Sequence, residues 1–179
     1  SIIKGIALSR GYHVVIHDPD MEYKASDIWT LLEAARRDGA GMVLGSRSLG
    51  GGASYKYIAN YLGVMLLTRV INILYGGKIT DSATAMKLMN GRHARSLNLE
   101  STGFDLDFEL VTRTLRLGLN IIERRAHYAP RTKAQGKKLK AWRDGLLALR
   151  AILRDRFRSR QHFLQRDTKE SGGLPAKPR

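Results

Sequence analysis

His13–Tyr23 reads HVVIHDPDMEY, an order of residue types that predicts a buried strand opening into an acidic loop. Residues 14–16 form a short apolar, β-branched run typical of a strand. Asp18-Pro19-Asp20 follows at once, and the proline ring restricts the backbone of both neighbouring positions. Two carboxylates one residue apart can point into one small volume, which favours a bound Mg²⁺ or Mn²⁺ because these ions prefer oxygen ligands. The alternative is that Asp-Pro-Asp only begins a turn.

The next two elements extend this strand into a strand–helix–strand unit. Apolar residues recur at helical spacing over residues 27–37, and Gly39 follows the last of them. Residues 42–44 predict a second apolar strand, and Gly45-Ser46-Arg47 follows it directly. Such a unit predicts a mostly parallel sheet flanked by helices, with ligand-binding loops at the carboxyl ends of the strands. We therefore expect the acidic loop and Arg47 to face the same crevice.

Composition limits the possible classes of partner and chemistry. The 179 residues include no cysteine, which excludes disulfides, thiolate metal sites and cysteine nucleophiles. The formal net charge is +15, and most of the excess lies beyond Glu123, so the expected partner is anionic: nucleic acid, an anionic membrane surface or a phosphorylated substrate. Ser1–Lys4 reads like the middle of a helix, so we expect the chain to lack its natural beginning.

The rest of the chain divides into a folded domain over residues 1–158 and a basic, disordered tail over residues 159–179. Residues 57–75 are strongly apolar and predict either a core helix or a helix lying against a membrane surface. Residues 102–117 and 142–157 predict two further helices, the second with alternating apolar and basic residues.

Five segments in this order resemble a known family. They are HDPDMEY, VLGSRSLGGG, TDSATAMKLM, TGFDLDFEL and APRTKAQGKKLKAWRDG, and together they cover about Lys4 to Arg156. They are similar to GT-A-fold glycosyltransferases of family 2, in the branch that includes dolichyl-phosphate mannose synthase and bacterial polyprenyl-phosphate glycosyltransferases. The resemblance implies a Rossmann-like GT-A fold, truncated at its N-terminus because the family has a first strand and helix before the position of Lys4.

The resemblance also implies roles for individual residues. Asp18 and Asp20 match the acidic pair that holds a divalent metal on the donor diphosphate, and Glu22 is a weaker metal ligand. The implied catalytic residues are Asp20, Asp81 and Glu109, and Asp107 borders the donor sugar. Basic residues would bind the phosphates of donor and acceptor: Arg47, Lys56, Arg131, Lys137 and Lys138.

The function implied by the resemblance is inverting transfer of a sugar from a nucleotide-sugar donor to a polyprenyl phosphate. A lipid phosphate is already an anion, so the acceptor needs little deprotonation, and clustered Arg and Lys would offset the repulsion between two phosphorylated substrates. The enzyme would lie in the cytoplasm or on the cytoplasmic face of a membrane, in peripheral contact with lipid. Three alternatives stay open: a family-2 enzyme with another acceptor, a catalytically inactive fragment, and a basic nucleic-acid-binding module.

Overall fold

Among the residues that the structure describes, four short strands form one mixed sheet, and its strand order sets the position of every loop discussed below. The computed structural model describes residues 2–49, 58–130 and 141–164. The order across the sheet is β1-β3-β2-β4. The strands are β1 His13–Ile16, β2 Met42–Ser46, β3 Lys87–Asn90 and β4 Ile121–Arg125.

The α/β class is confirmed, but the prediction of a mostly parallel sheet is wrong. β3 pairs antiparallel with both β1 and β2, and only β2 and β4 are parallel neighbours. β3 lies between the two strands of the predicted strand–helix–strand unit, which sequence periodicity cannot reveal because pairing direction is a long-range property. Since β1 and β2 both oppose β3, they still run the same way, and their carboxyl ends meet at the edge where β3 begins.

Helices cover both faces of the sheet. Val43 of β2 packs with Leu31 of α2 on one face, whereas Met42 and Leu44 pack with Ile71 and other helical residues on the opposite face. This alternation along a buried strand follows from the two-residue period of its side chains. The helices are α1 Ile2–Leu8, α2 Asp27–Asp38, α3 Ile58–Tyr75, α4 Gly91–Ser96, α5 Asp105–Arg116 and α6 Ala141–Phe157.

Four of the predicted helices, α2, α3, α5 and α6, begin and end within three residues of where the sequence placed them. α2 ends at Asp38, and Gly39 follows in the left-handed conformation with φ +57°, which glycine adopts without a steric penalty. α5 carries Asp105 and Asp107 in its first turn, where carboxylates interact favourably with the helix dipole.

α3 contributes to the core without being fully buried. Leu67, Thr68 and Ile71 are buried, whereas Leu62 and Ile73 are exposed. The core-helix prediction therefore accounts for one face of α3, and contact of the other face with a membrane stays a prediction. Within the three described ranges, no helix combines the length and the apolar character that crossing a bilayer requires.

The first residues of the predicted tail pack onto the domain. Arg160–Phe163 form a 3-10 helix, Phe163 is fully buried, and the backbone N–H of Asn98 donates to the carbonyl of Phe163 at 2.9 Å. The folded part therefore extends to at least Leu164, because burying an aromatic side chain stabilises the segment that carries it. The remainder of the predicted tail, 165–179, lies outside the described residues.

Candidate functional site

Charged side chains gather where β1 and β2 end. They come from the residues that follow these two strands, from the first residue of β3 and from α5. Ile16 of β1 and Leu44 of β2 are both in register with Lys87, the first residue of β3. Asp18 follows β1 by two residues and Arg47 follows β2 by one. The expectation that the acidic loop and Arg47 share one edge of the sheet is therefore confirmed, although an antiparallel strand separates their parent strands.

Arg47 and Asp81 form a buried, two-point ion pair. Nε and Nη2 of Arg47 each donate to one carboxylate oxygen of Asp81 at 2.7 Å, and the backbone N–H of Arg47 donates at 3.0 Å. Burial raises the pKa of Asp81, but the charge and hydrogen bonds of Arg47 outweigh it, so the pKa lies below its ordinary value. Asp81 therefore holds Arg47 in a fixed orientation, as bidentate pairs do.

Glu123 of β4 accepts hydrogen bonds from the segment that carries Asp81, and it was not identified as a site residue from the sequence. Its carboxylate accepts from the backbone N–H of Thr80 at 2.8 Å and from that of Asp81 at 3.0 Å. Burial raises the pKa of Glu123, which these hydrogen bonds only partly offset. An acidic residue within the otherwise apolar start of β4 was the available signal.

Lys87 and Asp107 form a second ion pair beside the first. Lys87 is fully buried, and its Nζ lies 2.6 Å from Oδ1 of Asp107 and also donates to the carbonyl of Thr84. Burial raises the pKa of Asp107, and the charge of Lys87 offsets this only in part. Sequence analysis missed Lys87; a lysine inside the apolar segment MKLM was the signal, since lysine is rarely buried unpaired.

The acidic loop is shaped by its own hydrogen bonds. Oδ1 of Asp20 accepts from the backbone N–H of Glu22 at 3.0 Å, and Met21 between them has a left-handed φ of +61°. The Glu22 carboxylate is buried and accepts from the hydroxyl of Tyr128 at 2.7 Å. Glu22 is thus held against Tyr128 by a long-range contact that the sequence could not show.

Asp18 and Asp20 fit the role of cation ligands as a pair. The pKa of Asp18 is raised, first by burial and then by the negative charge of Asp20, so the two carboxylates are close enough to repel each other. In the described part of the chain, no group of three His, Asp or Glu side chains is arranged to hold a metal ion. Two carboxylates alone would leave most of the coordination sphere of a divalent cation to other ligands.

Glu109 contacts other residues than the charged side chains gathered where β1 and β2 end. It is fully buried, pairs with Arg113, and accepts from Nη2 of Arg154 and the backbone N–H of Ser101, each at 2.8 Å. Asp107 and Glu109 are two positions apart on α5, and residues so spaced point to opposite sides of a helix. The structure brings Asp107 to the edge of the sheet and places Glu109 in an ion-pair network between α5 and α6.

A cavity of about 380 Å³ opens beside the acidic loop. Its lining includes three basic side chains and one imidazole beside the carboxylate of Glu22, and two of these four, Arg47 and His127, also contact the carboxylates of Asp81 and Asp27. His127 is fixed there by Asp27, whose Oδ2 accepts from the backbone N–H of His127 at 2.6 Å while Oδ1 lies 2.9 Å from the ring Nδ1. The ionisable lining residues named here are Glu22, Lys24, Arg47, Arg125 and His127.

The remaining predicted phosphate-binding residues lie outside the described ranges. They are Lys56, Arg131, Lys137 and Lys138, all in the segments 50–57 and 131–140.

Comparison with known proteins supports a glycosyltransferase. No family model matches the chain. The chain is 27% identical over 147 residues to the low-salt glycan biosynthesis hexosyltransferase Agl6 of Haloferax volcanii. The aligned region covers 80% of this chain and 35% of that protein. The chain is also 29% identical over 121 residues to the undecaprenyl-phosphate mannosyltransferase of Micrococcus luteus, covering 65% of this chain and 49% of that protein. The chain thus spans half or less of the length of these relatives.

Proposed function

We propose that this chain is the catalytic part of a family-2 hexosyltransferase that moves a sugar from a nucleotide-sugar donor to a polyprenyl phosphate. The observation that supports it most directly is the gathering of Asp18, Arg47, Lys87 and Asp107 at one edge of the sheet. Similarity to two glycosyltransferases, one of them named as acting on undecaprenyl phosphate, supports the same reaction class.

On the donor side, Asp18 and Asp20 would bind Mg²⁺ or Mn²⁺. When bound, the ion would act as a Lewis acid that stabilises the negative charge growing on the departing diphosphate. The hydrogen bond from the backbone of Glu22 fixes the carboxylate of Asp20 in the loop. Glu22 would contribute less directly, by holding Tyr128 against the loop.

On the sugar side, the two ion pairs hold their charged side chains in fixed orientations before substrate binds. Lys87 orients Asp107, whose side chain keeps 21% of its surface exposed and would accept hydrogen bonds from sugar hydroxyls. Asp81 orients the planar guanidinium of Arg47, which would contribute positive charge to phosphate binding. Preorganised charges of this kind need little rearrangement during the reaction.

On the acceptor side, the basic cavity would receive the phosphate of the lipid. Arg47, Lys24 and Arg125 line it and would reduce the repulsion between the two phosphorylated substrates. An acceptor phosphate oxygen would attack the anomeric carbon and form the new C–O bond, while the bond to the donor diphosphate breaks and its electron pair leaves with the nucleoside diphosphate. Lys56, Arg131, Lys137 and Lys138 stay proposed phosphate ligands.

A polyprenyl-phosphate acceptor would put the reaction at a membrane, and we propose the cytoplasmic face of that membrane. We propose peripheral contact there, since a polyprenyl chain stays in the bilayer while its phosphate reaches the protein. The net charge of +15 supports attraction to anionic lipid.

Transfer of labelled hexose tests the proposal. The chain is incubated with a panel of nucleotide hexoses, and label extracted with the lipid is compared between undecaprenyl phosphate and undecaprenol, with Mn²⁺ and with chelator. We expect label only with the phosphate and the metal, and loss of nearly all transfer in Asp20→Asn, which keeps the oxygen that accepts from Glu22. Glu33→Gln, at an exposed position of α2, is the matched control.

The outcomes separate the alternatives. Transfer to undecaprenol or to a soluble sugar would replace the acceptor assignment and keep the enzyme class. Transfer unaffected by chelator or by Asp20→Asn would refute the metal assignment. No transfer across the panel, together with nucleic-acid binding that weakens with salt and ignores Mn²⁺, would favour the basic nucleic-acid-binding module.

A further inference from the structure

α6 carries two apolar faces, of which only one packs into the domain. Ala148, Ala151 and Ile152 are buried on the inner face. Large apolar side chains are nevertheless exposed elsewhere on the same helix: Trp142 by 67%, Leu146 by 59%, Leu153 by 41% and Phe157 by 84%. A helix that only covered a core would carry polar residues there.

Four of the exposed apolar residues of α6 form one continuous stripe, called here the outer face of α6, and a fifth, Leu147, lies outside it. Its members recur three or four positions apart, so at 3.6 residues per turn they fall within a sector of roughly 80°. The middle of the stripe borders an open groove of about 440 Å³ on the surface of the helix. The outer face consists of the exposed Trp142, Leu146, Leu153 and Phe157 and of Leu149, which is partly buried and also packs against the core.

Arginines flank the outer face on both sides. At 100° per residue, Arg143 and Arg150 lie along one border of the stripe and Arg156 lies along the other. The two acidic residues of α6 lie elsewhere: Asp155 is buried against Arg113, and Asp144 falls on the side away from the stripe. The outer face thus combines large apolar side chains with flanking arginines, whereas Arg154, which also lines the groove, is paired with Glu100.

This combination matches one kind of partner. An anionic bilayer accepts apolar side chains below the headgroups while its phosphates pair with flanking arginines, the pattern typical of interfacial helices. Tryptophan also favours the headgroup region because its ring is apolar and its N–H polar. A second copy docked on this stripe would bring two sets of arginines together, which like-charge repulsion opposes.

We infer that the outer face of α6 docks this domain onto the surface of an anionic lipid bilayer, with Trp142 and Phe157 entering the interface. This inference deepens the peripheral membrane contact of the proposed function and rests on that proposal for its role, although docking itself requires neither a nucleotide sugar nor a polyprenyl phosphate. It identifies α6 as the element that keeps the domain beside its lipid.

Tryptophan fluorescence tests the contact directly, since the chain has two tryptophans, Trp29 on α2 and Trp142 on α6. Trp29→Phe leaves Trp142 as the single reporter, and Trp142→Phe leaves Trp29, which is 68% exposed. With vesicles of phosphatidylglycerol and phosphatidylcholine, free of polyprenyl phosphate, we expect the Trp142 emission to shift to the blue and to be quenched by brominated acyl chains. Trp29 should change little.

A matched pair of double variants tests the energetic contribution of the outer face. Leu146→Ala with Phe157→Ala should lower partitioning into these vesicles about tenfold or more, because the apolar area available for insertion shrinks. The control, Leu8→Ala with Tyr12→Ala, also removes two exposed apolar side chains and should leave partitioning unchanged. Circular dichroism confirms that both variants are folded.

Several results would overturn the inference. Equal binding to pure phosphatidylcholine would show that the arginines do not contribute to docking. Unchanged partitioning in the Leu146/Phe157 variant would show that the outer face does not contribute. Concentration-dependent dimerisation lost in that variant would assign the outer face to a second copy. Transfer to a water-soluble, short-chain polyprenyl phosphate should survive in the variant, so a failed docking test and a failed transfer reaction are distinguishable.

Discussion

Replacing Glu109 by glutamine separates a structural from a catalytic role for this carboxylate. The resemblance to family-2 enzymes assigns Glu109 to catalysis, whereas the structure surrounds it with Arg113, Arg154 and two backbone N–H groups, those of Glu100 and Ser101. Glutamine keeps the size of the side chain and one oxygen acceptor, but removes the charge. We expect Glu109→Gln to unfold more easily and to transfer sugar normally per folded molecule.

The magnitude follows from the partners that remain. Removing one member of a buried ion pair costs about 3–5 kcal/mol, because the other charge is left uncompensated. Here Asp155 still lies 3.2 Å from Nε of Arg113 and 3.1 Å from Nε of Arg154, so the lower end of that range applies. With a urea dependence of roughly 2 kcal/mol per molar, a loss of about 3 kcal/mol lowers the unfolding midpoint by about 1.5 M.

The assay is urea unfolding followed by tryptophan fluorescence, with hexose transfer measured on the same preparations. Glu33→Gln on the exposed side of α2 removes the same charge without a buried partner, and its midpoint should not move. A Glu109→Gln protein with an unchanged midpoint and a hundredfold lower transfer rate would refute the structural assignment. It would return Glu109 to the catalytic residues.

Two further predictions concern buried charge. Asp81→Asn should lower stability by about 3 kcal/mol in the same assay, since it leaves the buried guanidinium of Arg47 without its counter-charge; a midpoint equal to that of the parent chain would show that the pair contributes nothing. Burial lowers the pKa of His93 to about 4 from an ordinary 6.5. Between these pH values the His93 imidazole is therefore protonated in the unfolded chain and neutral in the folded chain. Stability should therefore fall by about 2 kcal/mol between pH 7 and pH 5, and a His93→Gln protein should show a smaller fall; equal pH dependence in both proteins would contradict this origin.

Local sequence patterns determined the elements that border the site. The β-branched run before Asp18, the helical spacing of α2 and the glycine at position 39 all act within a few residues, so periodicity and turn chemistry were enough to place them. The same patterns predicted that Asp18 and Arg47 leave two parallel-running strands at one edge. The metal-binding role of Asp18 and Asp20 stays a prediction.

Tertiary structure alone decided the direction of β3 and the partners of the charged residues. β3 is short, and nothing within its four residues specifies whether its neighbours run parallel or antiparallel; that depends on where α3 returns the chain to the sheet. Lys87 became part of the site because β3 begins between the ends of β1 and β2. Glu109 points away from the edge that carries Asp107 because two positions on a helix turn a side chain to the opposite side, towards Arg113. Sequence spacing fixes which residues are neighbours along the chain, whereas the chemistry of a buried carboxylate depends on which cation the fold brings to it.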